Sequence, residues 1–158
     1  MTKELKQEFT LKISQANKTE LVVILYEMLL AYLEDAKTAH KAQDQEGFRQ
    51  GIKQAKSCLH ELMSSLHFEY ELAGNLLQLY GYADRMMTRA DAKNSVEELG
   101  DVEKMITKLH DAYQTVSEQD TSEPIMSNAQ TVYAGLTYGK NQLTESLADQ
   151  GSSRGFRV

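Results

Sequence analysis

Leu21-Val22-Val23-Ile24-Leu25-Tyr26-Glu27-Met28-Leu29-Leu30-Ala31-Tyr32-Leu33 is the stretch on which the fold turns. Its only charge is Glu27. A membrane-spanning helix needs roughly 20 apolar residues, so this run is too short to span. A buried strand would be shorter still, and it would not run on into the helix-favouring Glu34–Ala42. The stretch therefore predicts the most apolar helix of an all-helical core. Leu21, Leu25, Met28, Tyr32, Ala36 and Ala39 recur at steps of three and four, and Val22, Tyr26, Leu29 and Leu33 fill the adjacent face. Two apolar faces predict two sets of neighbours, and some of these can belong to another chain.

At 158 residues the chain is long enough for one well-cored domain and short for two. Its 41% apolar and 25% charged residues are those of an ordinary globular protein. A net charge of −6 and a pI near 5.2 run against a nucleic-acid or anionic-membrane footprint, which needs clustered Lys and Arg. The single cysteine, Cys58, allows no internal disulfide and suits a reducing cytoplasm. The first eight residues mix acids with bases and carry no apolar signal region, so no secretory signal is expected.

Residues 1–16 are polar with scattered Leu5, Phe9, Leu11 and Ile13. They read equally as an extended arm on the core or as a frayed terminus. Asn17 and Glu20 fit a capping box opening a helix from about Lys18 to Ala42. Asp44 caps the next, whose seam is Phe48, Ile52, Ala55, Leu59, Leu62 and Leu66. Gly47 and Gly51 in that helix would let a neighbouring helix come close. A third helix, about Glu69–Ala90, has the seam Leu72, Leu76, Leu79, Ala83, Met86 and Ala90, widened by Leu77 and Tyr80. The fourth, about Val96–Ser117, has Leu99, Val102, Ile106, Leu109, Tyr113 and Val116. Four such helices on short turns predict an antiparallel up-down-up-down four-helix bundle over 17–117. Residues 118–158 form a tail in which Ile125, Met126, Val132, Tyr133, Leu136, Tyr138, Leu143 and Leu147 punctuate polar residues. The apolar positions of that tail suit either a plug for the bundle's own groove or a permanent cap on its end.

No catalytic constellation is legible. None of His40, His60, His67 and His110 has a Glu three residues before it, as bundle di-metal sites require. None is followed by the Lys-Gly of histidine phosphotransfer domains. The glycines match no phosphate-cradling motif. Cys58 sits beside the seam position Leu59 and reads as packing. No enzyme, metal or other cofactor is expected. What remains is surface: Tyr26, Tyr32, Tyr80, Tyr82 and Tyr113, with seven methionines, suit adaptable contact with a partner.

Four segments, in order and on the predicted helices, carry a family likeness. Thr19-Glu20-Leu21-Val22-Val23-Ile24-Leu25-Tyr26-Glu27 resembles a Ser/Thr-Pro-x-x-Leu-hydrophobic-x-x-Leu-Tyr-acidic signature. Ile52–Lys56 with Leu62–Leu66, then Asn75-Leu76-Leu77-Gln78-Leu79-Tyr80-Gly81-Tyr82, then Leu109-His110-Asp111-Ala112-Tyr113 resemble the second, third and fourth helices of the same family. The family is that of the flagellin-specific export chaperones of bacterial flagella, the FliS family. Lys18-Thr19 stand where that family usually has Ser/Thr-Pro, and Tyr113 where it has Trp.

The resemblance implies a cytoplasmic chaperone that binds the disordered C-terminal segment of flagellin and prevents premature polymerisation. It also implies delivery to the flagellar type III export apparatus, with no ATP and no covalent step. The expected groove is Val22, Tyr26, Leu29 and Leu33 from the first bundle helix with Leu77 and Tyr80 from the third. The alternative is a helical adaptor unrelated to flagellin. The apolar surplus fits a monomer awaiting a partner or the face of a homodimer.

Overall fold

The computed structural model describes residues 1–126. Among them are five helices and no strand: α1 (Lys3–Gln15), α2 (Lys18–Lys41), α3 (Gln45–Ser64), α4 (Glu71–Lys93) and α5 (Leu99–Ser117). Helices α2 to α5 follow one another around an antiparallel four-helix bundle, and α1 lies outside it on α2. The expected fold class is the observed one. Residues 3–15 are helical rather than extended or frayed, because Phe9 closes one side of α1 against Ile24 and Ala16, with Leu5 and Ile13 beside it.

The turns follow from their capping residues. The Asn17 side chain accepts the Glu20 N–H at 2.9 Å, and the Glu20 carboxylate accepts the Asn17 N–H at 2.9 Å. This capping box fixes where α2 starts. At its other end the chain reverses through Gln43 at φ 62°, and Asp44 accepts the Gly47 N–H at 2.9 Å to start α3. Asn94, at φ 51°, ends α4 in the left-handed conformation that Asn tolerates.

Gly51 explains how closely α2 and α3 pack. A Cβ there would lie 2.9 Å from the Ala36 backbone, so only hydrogen fits. The core is Tyr26, Leu29, Leu33 and Ala36 of α2 against Phe48, Ile52, Ala55, Leu59 and Leu62 of α3. Leu76, Tyr80, Ala83 and Met87 of α4 and Leu99, Val102 and Ile106 of α5 complete it.

The seam of α4 is where the structure departs from the sequence reading. The buried residues are Ala73, Leu76, Tyr80, Ala83, Met87 and Ala90. Leu72 and Leu79 are exposed and Met86 is only partly covered. The face that α4 turns inward carries its small residues Ala73, Ala83 and Ala90 together with Tyr80. The Tyr80 hydroxyl also finds a partner inside, on Tyr26 at 2.5 Å. The α5 seam fades toward its end: Leu109 and Tyr113 are partly buried and Val116 is exposed.

Candidate partner-binding surface

The six expected groove residues do not form one exposed surface. Tyr26, Leu29, Leu33 and Tyr80 are between 0% and 1% exposed and belong to the bundle interior. Val22 is partly buried against the same core, and Leu77 is exposed on α4. The physical reason is the seam of α4: once Tyr80 turns inward, it closes over the α2 stripe below it. The two tyrosines meet with ring centroids 6.4 Å apart, and Tyr113 adds an edge-on contact to Tyr26 at 5.9 Å. Burial pushes both phenols up, Tyr80 to about 12, so each is a neutral hydroxyl.

Of the stripe from Leu21 to Ala39, Leu25, Tyr32, Ala36 and Ala39 join the bundle core, and a further apolar strip of α2 is covered by α1. Leu21, Ile24, Met28 and Ala31 lie under α1. Glu27, the sole charge of the organising stretch, joins three helices. Its carboxylate meets His110 Nε2 of α5 at 2.9 Å and Lys12 Nζ of α1 at 3.5 Å.

Exposed apolar surface gathers elsewhere. Polar contacts show which flank of each helix is occupied. On α4, Thr88 accepts from Lys56 at 2.6 Å, Asp84 meets His60 at 3.0 Å, and Asp91 meets Arg49 at 3.3 Å. That flank therefore faces α3. On α5, Glu103 meets Lys37 at 2.8 Å and His110 meets Glu27, so that flank faces α2. At about 100° per residue, Leu72, Leu79 and Met86 lie on the free flank of α4, and Met105, Leu109 and Val116 on the free flank of α5. These flanks border the seam between α4 and α5, the most lightly packed neighbours in the bundle. Leu72 is 57%, Leu79 39% and Val116 52% exposed. Phe68 and Tyr70, both exposed in the α3–α4 connection, extend the patch at the end where α4 begins and α5 ends. The result is an apolar strip along the α4–α5 seam, here termed the trough. The sequence signal for it was present: Leu72, Leu79 and Met86 form a stripe, read as core because they alternate with true core positions.

Two further histidines make structural contacts. His40 meets the Asn94 carbonyl at 2.9 Å and lies tilted against the Phe48 ring, while His60 pairs with Asp84. Cys58 is buried, which pushes its thiol up to about 11. Among the described residues, no group of three or more His, Cys, Asp or Glu side chains gathers to hold a metal. No described helix is long and apolar enough to cross a membrane.

A family model described as flagellar protein FliS matches residues 1–120. The flagellar secretion chaperone FliS of Bacillus subtilis (strain 168) is 25% identical over 111 residues, covering 70% of this chain and 84% of that protein. Fold and likeness together define a helical-bundle chaperone of flagellar export. The chain belongs to the FliS family.

Proposed function

We propose that this protein binds the C-terminal segment of flagellin in the cytoplasm and holds it unpolymerised for export, by non-covalent contact alone. The observation that carries this reading is the α4–α5 trough, whose walls expose large apolar side chains along two neighbouring helices. An amphipathic segment laying its apolar anchors there would complete the bundle surface. Leu72, Leu79, Met105, Leu109 and Val116 are the direct contacts. Tyr26, Leu29, Leu33 and Tyr80 support the trough from the core, Val22 packs on that core, and Leu77 lies on the α3-facing flank of α4, outside the trough. The segment folds as it binds, and the ordering cost of roughly 2–5 kcal/mol keeps the complex releasable at the export apparatus.

The test is binding of full-length flagellin against flagellin lacking its last ~40 residues, a span set by helices of about 20 residues at 1.5 Å each. Loss of binding on truncation is expected. Undiminished binding overturns the proposal and favours a helical adaptor with another partner.

A further inference from the structure

The trough has a candidate occupant within the same chain. We infer that the apolar positions Val132, Tyr133 and Leu136, which lie outside the described residues, occupy the α4–α5 trough when no partner is bound.

The argument starts from where the described chain ends. After α5 the backbone crosses the base of the bundle and is tied there. Asp120 accepts from the Thr19 hydroxyl at 2.5 Å, Asn17 donates to the Asp120 carbonyl at 3.2 Å, and Ile125 donates to the Ala16 carbonyl at 3.0 Å. These ties hold Met126 at the end of the bundle where α2 starts. In an antiparallel bundle that is also the end where α4 starts and α5 finishes. Leu72, in the first turn of α4, and Val116, in the last turn of α5, open the trough at this end. The next 32 residues therefore begin at the end of the bundle where the trough opens.

Length and chemistry both suit. The trough from Leu72 to Met86 is about 20 Å long at 1.5 Å per residue. Six extended residues from Met126 to Val132 also cover about 20 Å, enough to cross the bundle end and enter. From Ser127 to Thr144 the only charge is Lys140, so little charge has to be desolvated on docking. Val132, Tyr133 and Leu136 are spaced at three and four, as anchors on one face must be.

The docking itself does not depend on the flagellin reading. Its consequence does: a segment seated in the trough lowers apparent flagellin affinity by the fraction of chaperone left open.

The experiment uses the full chain carrying V132D, Y133D and L136D together, labelled with carbon-13 at the methionine methyl groups. The expected result is a shift of the Met86 and Met105 methyl resonances relative to the unsubstituted chain. Met87, in the core, and Met28, beneath α1, stay unmoved. Unmoved Met86 and Met105 overturn the inference. So does a shift of Met28, which would place the segment on α1 and α2. Differences that appear only on raising the protein concentration overturn it too, since they mean a second copy fills the trough. A parallel titration with a flagellin C-terminal peptide is expected to give about 3- to 10-fold tighter binding for the substituted chain. Shifted methyl groups with unchanged peptide affinity leave the docking in place and remove flagellin from the trough.

Discussion

The hydroxyls of Tyr26 and Tyr80 lie 2.5 Å apart in the centre of the bundle, one donating to the other. They are polar groups in a site that is otherwise apolar, and each satisfies the other. This pair ties the face that α2 turns inward to the face that α4 turns inward. Replacing either tyrosine by phenylalanine leaves the remaining hydroxyl buried without a partner, at a cost of about 1–3 kcal/mol. Replacing both is expected to cost less than the sum of the two single changes. Chemical denaturation of the three variants gives the coupling directly; simple additivity would show that the hydroxyls do not depend on each other.

Gly51 carries the contact between α2 and α3. Gly51→Ala improves helix propensity by roughly 1 kcal/mol. It also drives a methyl group to within 2.9 Å of the Ala36 backbone, and overpacking of this kind costs about 1–3 kcal/mol. The neighbour is main chain and cannot turn aside, so the net effect is expected to be a lower melting temperature. A melting temperature equal to or above that of the parent would mean the two helices can separate freely.

His110 gives the bundle a pH dependence. Burial works against its charged form, but hydrogen bonds to Glu27 and Asp111, with the charges of both, outweigh it and hold the imidazole pKa above the ordinary value. A group whose pKa is raised by folding stabilises fully below its unfolded pKa, near 6.5, and that contribution fades as pH rises through the folded value. The melting temperature is therefore expected to fall from pH 6 toward pH 8 by an amount matching a partly exposed pair, about 0.2–1 kcal/mol. His110→Gln should flatten that slope. An unchanged slope would assign it to other groups.

Leu79 separates folding from binding. Its side chain is 39% exposed and outside the buried seam. Leu79→Asp is expected to leave helix content unchanged and to shift the midpoint of unfolding by less than about 1 kcal/mol. Retention of the flagellin C-terminal segment should fall by tenfold or more, about 1.4 kcal/mol of binding free energy. A variant that binds normally would move the site away from the trough.

Much of the fold was written locally. The capping residues Asn17, Glu20 and Asp44 fixed the beginnings of α2 and α3 because a cap needs only neighbours a few residues away. The seam of α3 was read without error from Phe48 to Leu62, since that helix has one apolar face and no rival to it. In α4 two stripes compete, and both carry leucine. The choice between Leu79 and Tyr80 depends on a hydroxyl 54 residues away in sequence, which no local pattern records. The same choice moved the candidate surface. Tyr26, Leu29, Leu33 and Tyr80 went inside, and Leu72 and Leu79 came out.

The amino-acid order alone determined an all-helical bundle, its turns and its family likeness, because helical periodicity and caps are short-range properties. The packed molecule decided which face of each amphipathic helix is spent internally and that residues 3–15 roof the outer face of α2. It also decided that Leu72, Leu79 and Val116 are left exposed along α4 and α5. Those outcomes follow from contacts between helices, where the close approach at Gly51, the paired tyrosine hydroxyls and the Glu27–His110 clip select one rotation of each helix among several that the pattern allows.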